Sequence, residues 1–129
     1  MVYTSKQQLI DQMKVNLTTR KDVRAKALVR IFNNQTASEK QTESTNHYNG
    51  IGFTGADAKF LTSLAKQYIY KGYLSEKQDA VLLRKIKKYA HQLVMGSIKE
   101  GKIVEYNGRY YTSAKEIENL RNRIAKETY

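Results

Sequence analysis

The sequence has no cysteine. Disulfides, zinc–thiolate centres and cysteine nucleophiles are therefore excluded, and a cytosolic setting fits best. Proline and tryptophan are absent as well, so helices must be stopped by glycine and polar caps rather than by proline. No apolar run approaches the roughly 18 residues of a membrane span. No long apolar stretch follows the first lysine, so the N-terminus does not read as a signal peptide. Acidic residues are scarce, 12 against 23 Lys and Arg, which leaves a formal net charge of +11. Those acids form no DxD or ExxH pattern of a metal-dependent nuclease. His47 and His91 are the only histidines, and neither has a second metal ligand at a recognised spacing. No cofactor, metal site or catalytic residue is expected, and the chain does not read as an enzyme.

What is present is positive charge on helices. A chain of 129 residues is one domain by default and buries roughly two-thirds of its surface on folding. The excess of cations raises phosphate concentration near the surface and favours nucleic acid as partner. An acidic protein partner satisfies the same charge. A membrane partner is disfavoured, because no helix pairs a basic face with exposed bulky aromatics.

Periodicity predicts a first helix from Lys6 to about Val15, capped by Ser5 and broken by Asn16-Leu17-Thr18. A second follows from about Arg20 to Asn34, capped by Thr19 with Asp22 in its first turn. Gln35 to Thr45 is polar and reads as a solvated linker or weak helix. Thr54 and Asp57 have capping-box spacing and predict a third helix, ended by Lys71-Gly72. Ser75-Glu76-Lys77-Gln78 is a strong capping box for a fourth, extending to about Glu100, with Gly96 as a kink or end. The short connection between the third and fourth makes an αα-hairpin. Asn107-Gly108, between β-prone residues, predicts a type I′ hairpin opposing Tyr106 to Arg109 and Val104 to Tyr111. Ser113 caps a last helix with Ile117, Leu120 and Ile124 inward.

The expected fold is mainly α: about five helices with a helical hairpin core and one C-terminal β-hairpin, winged-helix-like by analogy only. Along the chain this gives an N-terminal helical segment over 1–35, a linker and glycine-rich loop over 36–53, and the helical hairpin, β-hairpin and last helix over 54–129. Together they form one globular domain.

Three features invite a functional reading. Asn49-Gly50-Ile51-Gly52-Phe53-Thr54-Gly55 matches neither a P-loop nor a dinucleotide fingerprint. Its glycines read better as a tight approach to the helix, with Ile51 and Phe53 pinning the loop to the core. On the fourth helix Arg84, Lys85, Lys87, Lys88 and His91 fall within eight residues with no acid between them, and Lys77 extends the row. These are the predicted phosphate contacts. Tyr106, Arg109 and Tyr111, near the hairpin turn, are the predicted stacking or groove contacts. An ordinary solvated helix face and boundary tyrosines are the plainer readings of the same residues.

A resemblance adds to this. Ala27-Leu28-Val29-Arg30-Ile31, Asn49-Gly50-Ile51-Gly52-Phe53, Asp57-Ala58-Lys59-Phe60-Leu61, Gly72-Tyr73-Leu74-Ser75 and Lys88-Tyr89 with Gln92-Leu93 resemble a module common in small bacteriophage proteins. Similar segments occur beside nucleic-acid-processing enzymes such as helicases. The resemblance covers about Arg24 to Leu93 and implies a phage protein acting in DNA or RNA metabolism in the host cytoplasm. Two functions are thus carried forward: a small basic nucleic-acid-binding accessory protein, and an interaction module or inhibitor that engages a host nucleic-acid-processing or antiviral defence protein. Apolar faces on the first or last helix would support a homodimer.

Overall fold

The computed structural model describes residues 2–42 and 51–128, with side chains over 2–36 and 51–127. His47 and the start of the glycine-rich loop lie outside the described residues. The fold is mainly α; among the described residues there are six α-helices, one 3-10 turn and one small antiparallel sheet. Helix α1 spans Lys6–Thr19 and α2 spans Lys21–Thr42. Helix α3 spans Ala58–Lys71. Helices α4 (Glu76–Ile86) and α5 (Ala90–Lys99) are joined through a 3-10 turn at Lys87–Tyr89. Helix α6 spans Ala114–Thr128. Counting Glu76–Lys99 as one interrupted rod gives the five helices expected.

Several boundaries differ from the sequence reading. Ser5 caps α1 as expected, accepting from the Gln8 amide at 3.2 Å. The helix does not break at Asn16–Thr18. Leu17 is fully buried, and the Thr18 and Thr19 hydroxyls donate back to the Lys14 and Val15 carbonyls, so the final turn survives to Thr19. Extended Arg20 separates α1 from α2. Helix α2 then runs on to Thr42, through most of the segment read as a solvated linker or weak helix. No glycine or proline occurs from Lys21 to Thr42 to stop it. Gly96 lies inside α5, and the interruption falls at Lys87–Tyr89 instead.

The capping signals around α4 hold. Gly72 adopts φ 83° and receives the chain from α3 by donating its amide to the Tyr68 carbonyl. Ser75 and Gln78 form a complete capping box. The hairpin also forms as read: Asn107 and Gly108 have φ 53° and 76°, and Tyr106 pairs with Arg109 and Val104 with Tyr111. A strand the sequence reading missed, β1 at Val2–Tyr3, pairs with β3 (Arg109–Tyr111), so with β2 (Val104–Tyr106) the sheet has the order β1-β3-β2.

Helix α2 lies against α1, α3 and α4, and α1 packs on α5. The main core collects Leu17, Leu28, Ile31, Leu61, Leu82, Ile86, Tyr89 and Val94, all essentially inaccessible to water. The sheet separates this core from a smaller one. Tyr110 faces the helices, whereas Tyr111, with Val104 and Tyr106, faces Ile117 and Leu120 of α6. This alternation follows from the two-residue period of a strand.

Candidate nucleic-acid interface

Helices α3 and α4 form an antiparallel layer over α2, tied together by polar side chains at both ends. At one end Gln67 and Gln78 exchange reciprocal hydrogen bonds of 2.6 and 2.9 Å. At the other end stands Asp57, which is only 2% exposed. Capping geometry suggested that Asp57 caps α3, and this is corrected by the structure: it makes no side-chain cap bond. Its carboxylate instead accepts from the Tyr89 hydroxyl at 2.8 Å and from Lys85 at 3.2 Å, and pairs with Lys88. Thr54 Oγ1 donates to it at 3.3 Å. Tyr89 in turn accepts the Thr54 amide, and its ring meets Phe53 edge-on at 5.8 Å. Burial alone would raise the Asp57 pKa, but hydrogen bonds from Lys88, Tyr89 and Lys85 outweigh it and hold the carboxyl at about 2. Burial pushes the Tyr89 hydroxyl up.

The glycine-rich loop docks on the same end of the layer. Gln92 accepts from the Gly52 amide at 2.8 Å and donates to the Gly52 carbonyl at 2.9 Å. Gln35 accepts from the Phe53 amide. Gly52 has φ 91°, and a Cβ there would stand 2.6 Å from the Gln35 Cβ. The described part of the loop is thus fixed by protein groups, and its glycine is required by conformation and by close approach.

The predicted contacts divide into three groups. Lys77, Arg84, Lys87 and His91 are exposed and have no acidic partner among the described residues. They lie away from Leu82, Ile86, Leu93 and Val94, which bury the other side of the rod. Lys85 and Lys88 are different, because both are committed to Asp57. Their side chains keep 38% and 49% exposure, so they border the surface while serving the buried acid. Of the three predicted hairpin contacts, only Arg109 is exposed. Tyr111 is buried, with its hydroxyl accepting from Arg123 at 3.2 Å, and Tyr106 is half-buried against α6. The expectation that these two rings are offered near the turn is corrected: the sheet needs them to cover α6.

Among the described residues, the most exposed aromatic side chains lie elsewhere. Tyr70 is 89% and Tyr73 63% exposed, at the end of α3 and in the connection to α4. Tyr70 belongs to an outward row with Lys59, Ser63 and Lys66, opposite buried Leu61, Leu64 and Ala65. The 4-3-4 spacing of that row was a signal in the sequence. Helix α2 contacts both α3 and α4, and each exposed row lies opposite the buried residues of its own helix.

Charge is unevenly divided. Residues 58–99 carry nine Lys and Arg against Glu76 and Asp79, a net of +7. Residues 100–129 carry six against five, a net of +1. Asp79 does not reach the outer face. It is held by Arg24 through bonds of 3.0 and 2.7 Å, and Arg24, itself buried, also donates to the Leu17 carbonyl. The electrostatic footprint therefore lies on the helical layer, and the β-hairpin is nearly neutral.

Among the described residues no group of three His, Asp or Glu side chains is placed to hold a metal ion, and no helix is long and apolar enough to cross a membrane. No family model matches the chain, and no curated protein or solved structure is significantly similar to it.

Proposed function

We propose that the protein binds nucleic acid through the outer face of the α3–α4 layer, as a non-enzymatic accessory protein. One observation carries this reading: a net charge of +7 over residues 58–99, with Lys77, Arg84, Lys87 and His91 in one exposed row and Asp79 held by Arg24. Lys77, Arg84, Lys87 and His91 are the principal phosphate contacts, with Lys85 and Lys88 as a secondary ring around Asp57. Arg109 lies apart, on the near-neutral hairpin. Contacts of this kind read the sugar-phosphate backbone and carry little sequence preference. The resemblance to the phage module agrees with a phage-encoded protein working in the host cytoplasm.

The test is a fluorescence-anisotropy titration at several salt concentrations. Replacing Lys77, Arg84 and Lys87 by Ala should weaken binding and flatten the plot of log affinity against log salt by about 2 to 3. An unchanged affinity and slope would remove the layer from the interface.

A second reading is an acidic protein partner, such as a host nucleic-acid-processing or defence protein. Exposed Phe60 and Ile69 beside the cations favour it. A partner retained from host lysate after nuclease treatment, and lost with the triple variant, would support it. Sizing of the pure protein tests for a homodimer.

A further inference from the structure

We infer that the strand bound is single, and that Tyr70 and Tyr73 are its base-stacking platform. This deepens the proposed function and rests on it. Buried tyrosines in this molecule have assigned work: Tyr89 binds Asp57 and Thr54, Tyr111 binds Arg123, and Tyr110 fills the core. Tyr70 and Tyr73 have no such task. At 89% and 63% exposure they hold large apolar rings in water, which gains nothing for the fold. Their setting is cationic: Lys66 and Lys71 flank them on α3, and Lys77 follows on α4, all exposed. No acid occurs in α3 at all.

Tyr73 also borders a cleft of about 350 Å³ lined by Lys21, Ala25, Tyr68, Gly72 and Leu74. That size falls within the range of small-ligand pockets. The cleft's two carboxylates, Asp22 and Asp79, are each already bound by an arginine. An apolar cleft beside an exposed ring and lysines suits an unstacked base with its phosphate outside. A duplex keeps its bases stacked internally and cannot use it, whereas every unpaired base has a face to offer.

The two parts adjoin along the chain, Tyr73 standing four residues before Lys77. From the platform the cationic row runs from Lys77 to His91, about 21 Å at 1.5 Å per residue. That length spans a few phosphates of an extended strand, whose phosphates stand farther apart than the roughly 3.4 Å rise per strand of a stacked duplex. An unpaired strand would seat one or two bases at Tyr70 and Tyr73 and lay its backbone along Arg84 and Lys87.

The experiment compares three probes: an oligothymidylate of about 15 nucleotides, an abasic strand of equal length, and a duplex of the same length. We expect the oligothymidylate to bind more tightly than the abasic strand. It should also quench the tyrosine emission of the wild-type protein, which has no tryptophan to mask it. Y70A/Y73A should lose about tenfold or more in affinity for oligothymidylate. It should bind abasic strand and duplex as wild type does, with the same salt slope. Y70F/Y73F keeps the rings and should bind as wild type. Both positions are exposed, so the variants should fold, and circular dichroism checks this. Equal wild-type affinity for oligothymidylate and abasic strand, with salt-sensitive binding intact, would overturn the platform and leave the proposed function standing. So would an unaffected Y70A/Y73A. Binding to none of the probes at low salt would overturn both.

Discussion

Asp57 provides the sharpest test of how this fold is held, because its two lysines are redundant singly and indispensable together. In K85A the carboxylate keeps Lys88 and Tyr89, and in K88A it keeps Lys85 and Tyr89. Each lysine is more than one-third exposed, so solvent screens it and each single loss should cost less than about 1 kcal/mol. In K85A/K88A a carboxylate with 3% exposure is left with hydroxyl donors only. Leaving a buried charge without its partner costs about 3–5 kcal/mol. The chain has an escape, which is to protonate the acid. At pH 7 that costs about 4 kcal/mol from an ordinary Asp pKa near 3.9, so the two routes set a similar ceiling. We expect the double variant to lose about 3–4 kcal/mol, at least about 1–2 beyond the sum of the singles. The midpoint of thermal unfolding should fall by about 10 °C or more. Urea unfolding followed by circular dichroism gives all three values at pH 7. Because the acid can be protonated, the deficit should shrink as pH falls toward 4. Asp57→Asn in the K85A/K88A background should recover most of the loss, since no charge is then left to compensate. A double variant that equals the sum of its singles would refute the reasoning and mean that water or Tyr89 alone satisfies the carboxylate.

Wild-type protein should lose up to about 2 kcal/mol of stability as pH falls from about 4 to 2. The folded Asp57 pKa of about 2 lies below the ordinary value, so its contribution is complete above about pH 4 and lost through pH 2; acid titration of urea midpoints checks this against D57N, which should lack that contribution. Gly52→Ala should destabilise by about 1–3 kcal/mol in urea unfolding, because it combines φ 91° with a Cβ at 2.6 Å from Gln35. Asp79→Ala should cost about 3 kcal/mol by the same assay, since it strands the buried Arg24 guanidinium between α1, α2 and α4.

The parts of the fold legible in the sequence are those whose causes are local. Ser75 and Gln78 meet three residues apart, Gly72 ends a helix because only glycine takes its φ without strain, and Asn107-Gly108 sets a two-residue turn and with it the register. The mainly α architecture follows from spacing alone. So does the excess charge between residues 58 and 99.

Tertiary structure decided what those elements do to one another. Val2–Tyr3 is too short to signal a strand and becomes one only because β3 offers it an edge. Thr54 and Asp57 have the spacing of a cap, yet residues 28 and more positions away claim the carboxylate. A hydrogen bond between distant helices leaves no periodic trace. For the same reason an unbroken cationic run concealed two lysines occupied by a buried acid, and a tyrosine-rich hairpin concealed rings turned onto α6. Sequence alone determined where helices, turns and charge lie, because those depend on neighbours within a few residues. Only the packed structure decided which cations remain for a ligand and which tyrosines remain in water, because both depend on what lies across the core.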